Sequence, residues 1–387
     1  MTDDCLPNGT QIAGHVVSGM LGQGGFGITY KTISREARTL AALKEYFPAD
    51  DAVRGPGLAV SPKKGRRDRF DMGYKAFLKE AQTLHMLTER MKRANSGRAQ
   101  GLVQIIGAFE KHGTVYCLME FIDGQSLDNH LAYFFQRRPH VPPDAVLELA
   151  RAMLEALAMV HREEVLHRDV KPSNIMIRRD GQPVLIDFGA ARPMGRTSEL
   201  ASMYSRRYAA LEQFPAQRTG HSNALGDGPW TDIFALSVVL YELVSQSLPT
   251  NAKGRWDALR KAGQDPYVPV RDNILRNRII ASYPGPLLDA IDIGCKLFAE
   301  DRPRSVEEMS RHFEGLIEPI DPAPGPSRET VSWSRTPEHS SPKPSPATEK
   351  RPSPKHRSQS PHQGLQFILA LIFALAAGGV LYGYLTQ

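Results

Sequence analysis

The sequence predicts an α+β protein of two lobes, a small strand-rich one followed by a larger helical one, with two accessory segments behind them. Three observations carry that expectation. Short β-like runs fill the first third of the chain, at 12–21, 26–33, 39–46, 103–110 and 114–121, broken by one helical stretch near 70–91. After Ser126 the period changes. Val146, Ala150, Met153, Leu157 and Val160 recur at intervals of 4, 3, 4 and 3, one face of an amphipathic helix, and 232–245 and 287–298 are further apolar helices. Beyond Asp321, finally, Pro and Ser dominate up to Gly364, and the 21 residues from Leu365 to Leu385 carry no charge. The expected organisation is an N-terminal extension at 1–11, the two-lobed domain at 12–318, a disordered linker at 319–364 and a transmembrane helix at 365–385.

Composition narrows the class. A chain of 387 residues, 41% hydrophobic, can bury a large core. Cys5, Cys117 and Cys295 are odd in number and lack C-x-x-C spacing, which excludes a disulfide scaffold or a cysteine zinc site and suits a reducing compartment. The formal charge of +6 would suggest a polyanion partner if it were spread evenly. It is not: 54–98 carries 12 basic and 4 acidic residues, and 321–364 carries 7 and 4. No specific nucleic-acid partner is therefore expected.

The stretch 365–385 would form a helix of roughly 30 Å, the thickness of a bilayer's hydrocarbon core. Lys350, Arg351, Lys355 and Arg357 precede it, so the positive-inside rule puts the rest of the chain in the cytoplasm. Gly379 and Gly383, with Ala370 and Ala374, are spaced so that two such helices could pack into a homodimer, or are simply tolerated in an apolar helix.

The chemistry-bearing residues come in a fixed order. Gly22-Gln23-Gly24-Gly25-Phe26-Gly27 is a G-x-G-x-x-G read as strand, turn, strand, which disfavours a dinucleotide fold and suits a hairpin whose amides cover phosphates. Lys44 follows on the next strand, beside Ala41, Ala42 and Leu43, where a buried ammonium needs an anion. Glu80, on the following helix, is the candidate. Then come His167-Arg168-Asp169-Val170-Lys171-Pro172-Ser173-Asn174 and, 18 residues after Asp169, Asp187-Phe188-Gly189.

Taken together these motifs resemble the signature set of eukaryotic-like protein serine/threonine kinases. The Lys-Glu-Tyr-Phe-Pro run at 44–48 and the basic insert after it resemble bacterial membrane-anchored members, which implies a single-pass protein of the inner membrane. The resemblance covers about 12–316 and implies a kinase-like fold, ATP and Mg²⁺ as cofactors, and protein substrates with Ser or Thr hydroxyls.

It also implies roles. Gly22–Gly27, Thr29 and Ala42 would surround the nucleotide, with Glu120 and Ile122 of the Met119–Ile122 run offering backbone groups to adenine. Lys44 with Glu80 would hold phosphates, and Asn174 and Asp187 would bind Mg²⁺. Asp169 would accept the substrate proton, with Lys171 near the γ-phosphate. Glu212 would pair with Arg302, and Asp232 would support the catalytic loop. Leu211 and Ser237 depart from the family's Pro and Gly. Thr197, Ser198, Ser202 and Ser205 lie where a phosphorylated loop could pair with Arg168. The remaining histidines, His161 among them, read as ordinary surface or core residues. A pseudokinase scaffold is the alternative, and it would be signalled by loss of Lys44, Asp169, Asn174 or Asp187. All four are present.

Overall fold

A computed structural model describes residues 4–25, 27–93, 101–137, 140–187, 192–193, 207–214, 225–279 and 281–320. The chain opens with strands β1 (Gln11–Ile12), β2 (His15–Gly24), β3 (Gly27–Ser34) and β4 (Leu40–Tyr46). A small hairpin of β5 (Ala52–Arg54) and β6 (Val60–Pro62) leads into helix α1 (Arg67–Arg93), then β7 (Ile105–Lys111) and β8 (Thr114–Glu120). Six of these strands form one antiparallel sheet in the order β1-β2-β3-β4-β8-β7, with β5 and β6 paired separately.

Strand alternation decides what this sheet presents to each side. Thr29, Lys44 and Cys117 are cross-strand partners and share a face, as do Ala42 and Met119. Tyr30 faces Leu43 and Glu45 faces Tyr116 on the opposite side. Helix α1 covers the Lys44 side. It buries Phe70, Phe77, Ala81, Leu84 and Leu87, a helical-period stripe, and the Tyr46 hydroxyl donates to the Phe70 carbonyl at 3.0 Å. The other side is covered by the β5–β6 hairpin and by residues 4–10, with Leu6, Ala52 and Val60 all buried.

The second lobe begins with β9 (Gly124–Ser126), α2 (Leu127–Arg137), α3 (Pro143–Arg162) and β10 (Val165–Leu166). It continues through β11 (Ile175–Arg178), β12 (Pro183–Leu185) and β13 (Arg192–Pro193). Helices α4 (Pro229–Ser245), α5 (Ala252–Ala262), α6 (Val270–Arg276), α7 (Gly285–Gly294) and α8 (Val306–Arg311) complete it. All five apolar positions expected along α3 are fully buried. In α4 every residue from Thr231 to Ser245 except Glu242 is buried, so this helix is enclosed on all sides and forms the pillar of the lobe.

The α+β class and the two-lobed arrangement match the expectation. Among the described residues no helix is long and apolar enough to cross a membrane. The expected span at 365–385, and all of the linker beyond 320, lie outside the described residues.

Candidate active site

The glycine-rich run is the β2–β3 hairpin, with Gly22 opposite Thr29, Gln23 opposite Ile28 and Gly24 opposite Gly27. Phe26 lies outside the described residues. Gly27 is required by packing, since a β-carbon there would run into the carbonyl of Glu45 on β4. Gly22, Gly24 and Gly25 are different: a β-carbon at any of them meets no protein atom within 4 Å. Their bareness answers no internal contact, and it leaves the backbone approachable by a ligand.

Lys44 projects from β4 beneath this hairpin, and its ammonium donates to Oδ1 of Asp187 from the other lobe. Burial works against the charge on Lys44, but Asp187 and then Glu80 of α1 outweigh it and hold the ammonium's pKa above its ordinary value. Both carboxylates thus act on one lysine, Asp187 through a hydrogen bond. Cys117 beside it is pushed up to about 12, by burial first and by the charge of Glu80 second. The thiol is inert.

The loop at 167–174 gathers three further residues. Lys171 donates to Oδ2 of Asp169 at 2.7 Å, and Asn174 Nδ2 donates to the same oxygen at 3.0 Å and to the Asp169 carbonyl at 2.9 Å. The Ile186 amide donates to the Asn174 carbonyl at 2.8 Å, which brings the chain carrying Asp187 alongside. Arg168 and Asp187 both sit at positive φ, 66° and 57°, a region non-glycine residues seldom occupy, so other contacts must hold them there.

Much of that hold comes from Asp232 near the start of α4. It accepts the amides of His167 at 2.9 Å and Arg168 at 2.6 Å, and His161 Nε2 donates to it at 2.7 Å. Burial pushes its pKa up, yet the hydrogen bond from His161 and the surrounding charges reverse this and hold its carboxyl below the ordinary range. His167 is fully buried, donates from Nε2 to the Ile186 carbonyl at 3.2 Å and accepts the Asp169 amide on Nδ1 at 3.3 Å. That pattern requires the neutral ring, and burial lowers its pKa accordingly.

At the junction of the lobes Glu120 donates its amide to the Gln104 carbonyl at 2.9 Å, and its carboxylate accepts from Arg178 at 2.7 Å. Ile122 is buried nearby in sequence, and Ala42 is buried opposite Met119. Glu212 and Arg302 form the expected pair, two parallel bonds of 2.7 and 2.9 Å in which both side chains are almost wholly buried. Thr231 adds a third bond to Glu212 at 2.9 Å. Residues that reading the motifs left out are His161, Gln213, whose Nε2 donates to the Arg168 carbonyl at 2.8 Å, and Asp227, which is ion-paired with Arg168. The four loop hydroxyls at 197, 198, 202 and 205 lie outside the described residues, as do Phe188 and Gly189.

Residues 63–287, more than half of the chain, match the family model described as protein kinase domain. The chain belongs to the protein kinase family. The match begins after the β5–β6 hairpin, so the positions of the glycine hairpin and Lys44 in this kinase are read from the sheet itself. The kinase is 25% identical over 312 residues to mouse serine/threonine-protein kinase Nek10, covering 80% of this chain and 25% of that protein. A probable serine/threonine-protein kinase PknB of Lactococcus lactis is 29% identical over 225 residues, 58% of this chain and 32% of the relative. The chain thus spans about a quarter to a third of the length of these relatives. Among solved structures, one titled PpkA-294 apo form superposes with a TM-score of 0.58 at 26% identity, over 80% of this kinase and 100% of that chain. The kinase domain of Mycobacterium tuberculosis PknI, at 20% identity and a TM-score of 0.54, shares the fold over 81% of this chain and 99% of that one.

Proposed function

We propose that this kinase transfers the γ-phosphate of ATP to Ser and Thr hydroxyls of proteins, itself included, while held at a membrane by the apolar segment at 365–385. The observation that carries the reading is the pair of Lys44 with Asp187 across the lobe junction, together with the cluster of Asp169, Lys171 and Asn174 on the loop at 167–174. Phosphoryl transfer asks mainly for charge neutralisation and in-line placement, and these are the groups that supply both.

Asp187 and Asn174 offer hard oxygens, and among the described residues no cluster of three His, Cys, Asp or Glu side chains could hold a metal by itself. Two protein oxygens suit Mg²⁺, which retains waters and takes its other ligands from phosphates. Held by Asp187 and Asn174, Mg²⁺ would supply positive charge against the phosphates. Lys44, oriented by Glu80 and Asp187, binds the α- and β-phosphates beneath the open glycines 22, 24 and 25, beside Gln23. Thr29 and Ala42 pack on adenine, and the carbonyl of Glu120 and amide of Ile122 bind its edge. Asp169 orients the acceptor hydroxyl and takes its proton, while Lys171 neutralises the transferred phosphoryl group. Tethered by the linker, two copies meet through Gly379 and Gly383 and phosphorylate in trans.

The test uses the full chain with labelled ATP, Mg²⁺ and a generic protein substrate. Asp169→Asn is expected to lower kcat by about 10²–10⁴-fold with nucleotide affinity unchanged, and Asp187→Asn to abolish transfer through loss of a metal ligand. Wild-type-like phosphorylation by both variants would overturn the assignment in favour of a scaffold. For the anchor, vesicle flotation should retain the full chain and release one ending at 364.

A further inference from the structure

Arg168 stands immediately before Asp169, and each of its polar groups is held by a different segment. Its amide donates to Asp232 at 2.6 Å, its carbonyl accepts from Gln213 at 2.8 Å, and its guanidinium is ion-paired with Asp227, two residues before α4. The two charged side chains are 8% and 2% exposed. Burial this deep is costly for a lone ion, so each of the pair needs the other. Arg168 also holds φ at 66°, so the orientation of the next residue depends on how firmly these contacts fix it.

Resting on the kinase reading above, we infer that Asp227 is a positioning residue: its carboxylate is the built-in counter-ion of Arg168 and fixes the backbone that aims Asp169. The consequence differs from the sequence expectation, in which a phosphate on the loop supplies that counter-charge. A carboxylate from within the folded lobe already faces the guanidinium. Transfer is therefore independent of phosphorylation at Thr197, Ser198, Ser202 and Ser205, and modification there serves another purpose.

The experiment measures kcat and KM for ATP on the full chain, with melting temperature recorded for every variant. Asp227→Asn is expected to lower kcat by about 10²-fold, as a displaced catalytic group does, with KM for ATP unchanged. Asp227→Glu should restore most of the rate, which a residue serving only to fill space would not do. Replacing all four loop hydroxyls by Ala should leave kcat within about twofold of wild type on the same positioning argument. Where Asp227→Asn fails to fold, Arg168→Met/Asp227→Leu removes both charges at similar volume, and it should fold yet remain slow. Wild-type kcat in Asp227→Asn or in that double variant, or a large loss in the four-Ala chain, overturns the inference. A wild-type chain no more active than Asp169→Asn instead overturns the kinase reading itself.

Discussion

Ser237 of α4 is fully buried, and among the described residues its hydroxyl has no hydrogen-bond partner. A β-carbon at Gly294 of α7 would collide with that hydroxyl, so the serine and the glycine define one close helix crossing. Ser237 stands where the resembled family has Gly, and it packs on the α7 helix. Gly294→Ala is expected to destabilise by about 1–3 kcal/mol through overpacking, and Ser237→Gly should recover most of that loss. Ser237→Ala alone should be neutral or stabilising by about 1 kcal/mol, since it removes an unsatisfied buried group. Urea denaturation of the single and double variants decides it, and strict additivity would refute the contact. The residues most legible beforehand, Lys44, Asp169, Asn174 and Asp187, are those whose chemistry admits few substitutes at a fixed spacing. His161 and Asp227 were not legible. His161 meets Asp232 from 71 positions away, and nothing local to either sequence stretch announces the partner.

The β5–β6 hairpin shows the same limit at the scale of an element. Its surroundings read as a basic insert of unassigned role, and Lys63, Lys64, Arg66 and Arg67 are indeed exposed. Arg54 is not. It makes two bonds, of 3.1 and 2.6 Å, to Glu45 on β4, a carboxylate with no exposure that also accepts the hydroxyls of Tyr30 at 2.9 Å and Tyr116 at 2.7 Å. The same guanidinium donates to the Asp4 carbonyl at 2.7 Å, so it fastens the N-terminal residues to the sheet as well. Alternation along β4 explains the arrangement: if Lys44 faces the cleft, Glu45 must face the outer side, where it needs a cation. Strand period was visible in the sequence, but which cation answers Glu45 depends on how the hairpin folds back. Arg54→Leu is expected to cost about 3–5 kcal/mol by leaving that carboxylate buried without its counter-ion. Adding Glu45→Gln to Arg54→Leu should return a large part of it. Equal stability of Arg54→Leu and wild type in denaturant titrations would show that the pair does not hold the hairpin.

Over the whole molecule, burial of neutral histidines sets an acid limit. His112, His130 and His167 all have pKa values lowered from 6.5, in each case chiefly by burial. When such a chain unfolds below pH 6.5 its histidines take up protons that the folded state refuses, so folding stability is lost as pH falls through that range. Glu242 and Asp292 act in the opposite sense, because burial raises both and the folded chain binds protons there more readily than the unfolded one. They oppose the histidines and make the limb shallower. His167 also links this limb to the site, since a protonated ring would lose the Nδ1 acceptor that takes the Asp169 amide. The expected outcome is a melting temperature that is level from pH 8 to about 7 and falls steadily towards pH 5. In His167→Phe, which cannot titrate, the curve should start lower and run flatter. Melting curves across that range check the sign: a wild-type chain that gains stability on acidification would remove buried histidine as the cause, and a His167→Phe chain with an unchanged slope would remove His167 from it.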